Sequence, residues 1–396
     1  MQSIKIINSI LDTDWYKITM AQVVFFFYPE VKVRYKFYDR NNTIYPDGFA
    51  LKVLDEIRNM KELSLSESEE DWLRKQNSIY PAFVDWFKNY RFNPFEIDII
   101  QDLEGHLLID IEGKWLDTIF WEVPLLAIIS ELYNKEKGNK IKNIMKFRKN
   151  IENKSHLLNF PFADFGTRRR FSNFAQSILL DELIFQDNEF LLGTSNPYFA
   201  MNYEINPIGT YAHEAIMAME ALWGYKNANL EWIKRWKKIY GKQYNIALSD
   251  TFTTDLFLQT TGKYWFNLID GIRQDSGDPI EIGNKIIKKW KELGINPKTK
   301  SIVFSDNLNP EKANKIWNKF KDITNPIFGI GTNLTNDCGY KPLNIVIKLD
   351  SIYIQDGLNK WKSTIKLSDD KGKYTGDSKR IDKVKKEIEV YLREEF

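Results

Sequence analysis

The rhythm of apolar and polar positions changes near residue 160. Before it, strands and helices follow no regular order. Residues 12–28 read as a helix that Asp12 or Thr13 can cap and Pro29 stops. Val31, Val33, Tyr35 and Phe37 then alternate with Lys32, Arg34, Lys36 and Tyr38, the two-residue period of a half-buried strand. Residues 61–78 are polar and charge-rich and predict a solvated helix with loops. Glu96 to Glu112 reads as two strands around a Glu104-Gly105-His106 turn. Trp121 to Tyr133 reads as a helix with Pro124 in its first turn. This irregular first section is α+β.

From residue 160, short apolar strands alternate with helices. The strands are Phe160–Phe165, Phe190–Gly193, Pro207–Gly209, Asn245–Leu248, Asn267–Ile272, Ser301–Phe304 and Pro326–Ile330; helices are expected over 168–184, 210–223, 279–293 and 310–320. Such alternation predicts parallel strands with helical crossovers, closed into a barrel or open and doubly wound. After residue 340, Leu343–Leu349 and Lys362–Leu367 read as strands, and the charge-rich stretch from Lys371 to Phe396 ends in a solvated helix. The expected division is an N-terminal α+β domain over 1–135, with 345–396 packing on it, and an α/β domain over 136–344 that carries the chemistry.

Composition narrows the function classes. The net charge is +2, from 56 basic and 54 acidic residues, without the basic bias of a nucleic-acid-binding protein. The longest aromatic-aliphatic run, Val23 to Tyr28, is far below the roughly 20 residues that span a bilayer. No secretory leader is visible, and the single cysteine, Cys338, cannot form an internal disulfide, so the expected compartment is the reducing cytoplasm.

The expected strands end in small or polar residues, where α/β barrels place their chemistry. These ends include Gly193-Thr194-Ser195-Asn196, Ser249-Asp250, Ser305-Asp306-Asn307 and Gly329-Ile330-Gly331-Thr332. Glycine amides and hydroxyls suit phosphate, carboxylates suit ribose hydroxyls or Mg²⁺, and arginine forks grip anions. Three runs stand out. Phe165-Gly166-Thr167-Arg168-Arg169-Arg170 sets three cations at an expected helix start, against the helix dipole. A surface cluster and an anion site are equally compatible with it. Gly209-Thr210-Tyr211-Ala212-His213-Glu214 lets Thr210 cap a helix with His213 in its first turn, where a phosphoryl group on the ring would meet free amides and Glu214 could orient the imidazole. A lone histidine is more often structural, and no second His or Cys lies at metal-ligand spacing, so no protein-held metal is expected. Arg273-Gln274-Asp275-Ser276-Gly277-Asp278-Pro279 is the densest run: a helix cap accounts for Asp278 but not for Arg273 and Asp275.

These runs resemble, in order and over nearly the whole chain, the nicotinate phosphoribosyltransferase family. Leu11-Asp12-Thr13-Asp14-Trp15-Tyr16-Lys17 begins the match and Lys341-Pro342-Leu343-Asn344-Ile345-Val346-Ile347-Lys348-Leu349 closes it. The resemblance implies an irregular seven-stranded α/β barrel of the type II phosphoribosyltransferase kind, plus an α+β domain built from both chain ends. It implies that nicotinate and phosphoribosyl pyrophosphate give nicotinate mononucleotide and pyrophosphate, coupled to ATP hydrolysis, with Mg²⁺ accompanying the diphosphates. By residue, it implies that His213 becomes phosphorylated. Phe165 and Tyr16 sandwich the pyridine, with Tyr16 arriving from the partner subunit of a homodimer. Arg168 and Arg273 lie near base and phosphates, Asp250 and Asp275 around base and ribose, and Gly331 and Thr332 in the phosphate loop. Ser195, Ser305, Asp306 and Gly329 complete the expected substrate-binding set. The family's usual Gly-Thr-Arg reads Gly331-Thr332-Asn333 here, one charge fewer. Nicotinamide phosphoribosyltransferase is the rival within the fold; it tends to carry an aspartate near Ser195-Asn196, where this chain is neutral. A catalytically silent binding barrel is the rival outside it, and the intact His213, Arg273 and Asp275 argue against that.

Overall fold

The structure, a computed structural model, describes residues 5–355, 360–370 and 372–394. Lys371 and Phe396, the two ends of the expected charge-rich terminal stretch, lie outside the described residues. The chain forms two compact units, Met1–Gly209 with Ile330–Lys348, and Thr210–Gly329 with Leu349–Phe396. The expected domain boundary at 135/136 falls inside the first unit, and the stretch 345–396 divides between the two.

In the first unit, strands β1 (Lys32–Asp39), β2 (Ile97–Gln101) and β3 (Leu107–Lys114) form an antiparallel sheet in the order β2-β3-β1. Its register sets Tyr35 opposite Ile111 and Ile111 opposite Ile97, so the alternating apolar positions form one buried row. The helix Trp15–Phe27 starts later than the expected Asp12, with Asp14 at its N-cap. Both carboxylates are spent elsewhere: Asp12 holds Arg170 and Asp14 accepts from Ser195, so neither caps a backbone amide. The helix Glu122–Glu136 carries Pro124 in its first turn, as the pattern predicts.

Strands β4 (Phe162–Asp164) and β5 (Leu191–Thr194) pair in parallel. The next expected strand, Pro207–Gly209, is reduced to a single bridge between Thr194 and Pro207. A Cβ at Gly193 would lie 2.0 Å from the Asn206 carbonyl oxygen, so only glycine allows the backbones this close. The arginine run does not open a helix. Thr167–Arg169 is one 3₁₀ turn, and the following helix, Asn173–Phe185, is capped by Ser172. The expected conflict with the helix dipole therefore does not arise.

In the second unit, β6 (Ile246–Leu248), β7 (Gly271–Gln274), β8 (Ser301–Phe304) and β9 (Asn325–Ile330) run parallel and pair in that order. The helices Pro279–Glu292 and Pro310–Phe320 are the crossovers, and Phe304 stacks on Phe320 and Phe328 in the core they cover. The strand expected over Asn267–Ile272 begins only at Gly271. The preceding residues form the helix Lys263–Leu268, whose Phe266 packs edge-on against Phe257. A further helix, Tyr225–Tyr240, seats Trp232 and Trp236 against Tyr211. Strands β10 (Ile345–Ile354) and β11 (Lys360–Ser363) pair antiparallel, with Ser351 opposite Ser363. The last helix, Ser378–Glu394, is tied down by Arg380, which bonds the Ser363 carbonyl and Glu220. Among the described residues no helix is long and apolar enough to cross a membrane.

Candidate active site

In the second unit, the ends of β6, β7 and β8 carry a connected polar cluster around His213. His213 is the first residue of the helix His213–Trp223, and Ala212, not Thr210, is its N-cap. The imidazole is held from both sides: Nδ1 lies 2.9 Å from Thr251 Oγ1 and Nε2 lies 3.1 Å from Asp275 Oδ2. Thr251 and Asp275 thus supply the orientation expected from Glu214. Asp275 also accepts from Arg273 (2.9 Å) and from Ser305 Oγ (2.6 Å), and Arg273 Nε donates to Ser305 Oγ at 2.8 Å. Asp250 is fully buried at the end of β6; its Oδ2 accepts from Ser276 Oγ at 2.5 Å, while its Oδ1 has no hydrogen-bond partner and lies 3.9 Å from His213 Nε2. Asp306 pairs with Lys373 at 3.0 Å, and Gly329 is buried near the end of β9.

The charges of this cluster are mutually set. Burial pushes His213 below its ordinary pKa and Lys366 adds to the effect, outweighing Asp250 and Asp275, so the ring is neutral at pH 7. Burial alone would raise Asp275, but Arg273 and His213 pull it well below the usual carboxylate range. With Asp275 ionised, the Nε2 side carries the ring proton and Nδ1 keeps its lone pair.

In the first unit, Tyr16, Phe165, Arg168, Ser195, Gly331 and Thr332 lie on a second network. Trp15 N donates to the Ser195 carbonyl at 2.5 Å, Ser195 N donates to the Asp164 carbonyl at 2.7 Å, and Phe165 N donates to the Ile330 carbonyl at 2.9 Å. Ser195 Oγ donates to Asp14 at 2.6 Å, and Asn196 Nδ2 donates to Asp12 at 2.7 Å. The neutral pair Ser195-Asn196 therefore serves two carboxylates of the N-terminal segment. Burial raises Asp14 to about 6, against the pull of Arg168 and Ser195. Arg168 stands 3.7 Å from Asp14 and 3.4 Å from Glu122, and Lys17 closes on Glu122 at 2.7 Å. A Cβ at Gly331 would sit 3.1 Å from the Phe165 carbonyl oxygen, so glycine lets the Gly331-Thr332 turn pass close to Phe165. The carbonyl of Asn333 accepts from Lys154 Nζ at 2.5 Å.

Several residues of these networks escape a reading of the sequence. Thr251 and Ser276 lie inside motifs that could have drawn attention to them. Lys366 lies in an expected strand and Asp369 and Lys373 in a polar stretch, with no local signal for contacts such as Asp369 with Thr254 and Lys373 with Asp306, which are distant in the chain. Asp14 and Asp164 sit in matched motifs but show their role only through Ser195, Thr194 and Gln176. Among the described residues no group of three or more His, Cys, Asp or Glu is placed to hold a metal ion.

The family model of the nicotinate phosphoribosyltransferase (NAPRTase) family matches residues 160–392, and that of the NAPRTase N-terminal domain matches residues 11–130. Nicotinate phosphoribosyltransferase of Desulforapulum autotrophicum is 43% identical over 379 residues, 95% of this chain and 97% of the relative. That of Chromohalobacter salexigens is 37% identical over 392 residues, 98% of this chain and 100% of the relative. The crystal structure of nicotinate phosphoribosyltransferase from Porphyromonas gingivalis superposes with a TM-score of 0.93 at 36% identity, covering 96% of this chain and 98% of that one. This chain belongs to the nicotinate phosphoribosyltransferase family.

Proposed function

We propose that the protein converts nicotinate and phosphoribosyl pyrophosphate to nicotinate mononucleotide and pyrophosphate in the cytoplasm, with ATP hydrolysed alongside, as a step of NAD biosynthesis. The observation that carries this reading is the cluster in which Asp275 joins Arg273, Ser305 and His213 at the ends of parallel strands. In the transfer, the pyridine nitrogen bonds C1 of the ribose as the C1–oxygen bond breaks and pyrophosphate leaves with its electrons. Asp275 and the buried Asp250 offset the positive charge that develops on the ribose, and Arg273 faces the departing anion. The family resemblance assigns the pyridine and its carboxylate to Phe165, Tyr16 and Arg168, and the sugar phosphate to Gly331, Thr332 and Gly329. Mg²⁺ fits as an ion carried in by the diphosphate, since the described residues form no cage for it. Asp275 and Asp306 would have to exchange their present partners to face it, and when bound it would neutralise pyrophosphate charge.

His213 takes the phosphoryl group of ATP. Its Nδ1 lone pair bonds the γ-phosphorus as the bond to the ADP oxygen breaks, and water later hydrolyses the adduct. The first-turn amides of the helix His213–Trp223 and its dipole favour the dianion by roughly 0.3–1 kcal/mol. This phosphate orders the site and is not itself part of the transfer.

Arg168 supports the acid over the amide as substrate, and Ser195, already donating to Asp14, adds no charge against it. The test is product formation from nicotinate and from nicotinamide at equal concentration, each with and without ATP. The expected result is nicotinate mononucleotide, formed faster with ATP; a preference for nicotinamide would overturn the assignment. A homodimer in which Tyr16 serves the partner's site rests on the resemblance at Leu11–Lys17. Inactive Tyr16→Ala and inactive Arg273→Ala subunits should regain activity when mixed, and verified hybrids that stay inactive contradict a shared site.

A further inference from the structure

We propose that Asp369 is a positioning residue for the transfer, a clamp that holds the strained Thr253-Thr254 turn so that Asp250 and Thr251 stay aimed at His213. The inference rests on the reading of His213 and Asp250 given above. Thr253 has φ 76°, a left-handed conformation that a β-branched residue rarely adopts. Such strain persists only where surrounding contacts impose it; besides Ser249 Oγ, 2.9 Å from Thr254 Oγ1, they come here from the segment that follows β11. Asp369 Oδ1 accepts from Thr254 N at 2.9 Å, and Asp369 Oδ2 accepts from Thr254 Oγ1 at 2.6 Å. Both oxygens of one carboxylate are thus spent on the residue next to the strained one.

The same segment grips the residues on the other side of the turn. Leu367 N donates to the Thr251 carbonyl at 2.9 Å. Asp369 N donates to Ser276 Oγ at 3.1 Å, and Ser276 Oγ donates to Asp250 Oδ2 at 2.5 Å. Thr251 and Asp250 are the two groups of β6 and its loop that face the imidazole. Without the clamp, Thr253 gains by relaxing to negative φ, and that rotation carries Thr251 and Asp250 away from His213. Burial, and secondarily the Asp250 carboxylate, raise Asp369 to about 7, so an uncharged asparagine is a close substitute for it.

The test uses the full-length enzyme with kcat, the two KM values, His213 phosphorylation and thermal midpoint as readouts. Asp369→Ala is expected to lower kcat by about ten-fold or more, since small misplacements of reacting groups are costly. Both KM values should stay within about two-fold, because no substrate contact is removed. Asp369→Asn, which keeps an acceptor for Thr254 N, should stay within about three-fold of wild type. The decisive variant is Thr253→Gly in the Asp369→Ala background. Glycine adopts φ 76° without strain and is nearly as good an N-cap as threonine, so this second substitution should restore much of the lost kcat. A merely space-filling role for Asp369 gives no rescue at another residue. Should Asp369→Ala not fold, Asp369→Glu carries the same expectation, since its longer side chain cannot meet both groups of Thr254 from the same backbone position. Wild-type kcat in the alanine variant, or a loss that Thr253→Gly leaves untouched, overturns the proposal. If wild type itself makes no nicotinate mononucleotide, the reading of function fails; if it does and Asp369→Ala is unaffected, only this inference fails.

Discussion

The two polar networks use the same residue types to opposite ends. In the first unit, Arg170 and Asp12 are sealed from solvent, with side chains 0% and 1% exposed, and the buried carboxylates are fully engaged, although Arg170 Nε has no hydrogen-bond partner. Asp12 receives two guanidinium hydrogens, Asn196 and Asn173, while Asp164 receives Gln176, Thr194 and the Gly166 amide. In the second unit, His213, Asp275 and Arg273 remain 17%, 21% and 16% exposed, and Asp250 keeps one buried oxygen without a partner. A buried network whose carboxylates are all engaged fixes the backbone that carries it, and a half-open one keeps bonding capacity for something else. The first holds the N-terminal segment against β4 and β5; the second is equipped to react.

The largest effect should separate the two directly. Arg170→Ala leaves Asp12 buried and unpaired, and is expected to cost about 3–5 kcal/mol of stability by urea denaturation. Arg273→Ala should cost about 1 kcal/mol or less by the same measurement while lowering kcat/KM by about 10²-fold or more. If Arg273→Ala unfolds the protein as readily as Arg170→Ala, the division into holding and reacting networks is wrong. A smaller effect concerns Glu96, which accepts from Trp121 Nε1 at 2.8 Å in the first unit and which burial raises to about 7. An acid whose folded pKa lies above its ordinary 4.5 destabilises the fold as pH rises from about 4.5 to about 7. Glu96→Gln keeps an acceptor without the charge. It should therefore be more stable than wild type at pH 8, by on the order of 1–3 kcal/mol, with the gap closing as pH falls toward 5. An equal gap at both pH values contradicts this origin.

The second network was the more legible of the two in the sequence. His213, Arg273, Asp275 and Asp250 lie at strand ends in short motifs, where local pattern and topology together point to one face. The first network was largely hidden, because its partners are far apart in the chain: Asp12 meets Arg170, and Asp14 meets Ser195. From the sequence, Ser195 and Asn196 read as a neutral pair, and nothing local shows that they donate to buried carboxylates. The same distance hid Asp369, whose partner Thr254 precedes it by 115 positions. Among the elements, alternation located β1, β2, β3 and most parallel strands, but it extended β7 backward through Asn267, where an apolar run of similar length forms a helix. Short apolar runs look alike in both conformations, and only packing of Phe266 against Phe257 decides between them. The start of the first helix was misplaced for a related reason: Asp12, one of its two capping candidates, is occupied by Arg170.

Phosphate transfer to the second network tests the contrast most directly. Wild-type enzyme incubated with γ-labelled ATP should acquire an acid-labile, base-stable phosphoryl group, and His213→Ala should acquire none. The variant should also lose ATPase activity, yet keep a slow, ATP-independent formation of nicotinate mononucleotide at high substrate and an unchanged urea midpoint. If His213→Ala still takes up the label, the phosphoryl acceptor is His106 or His156, and the cluster around His213 is not the reactive half of the molecule.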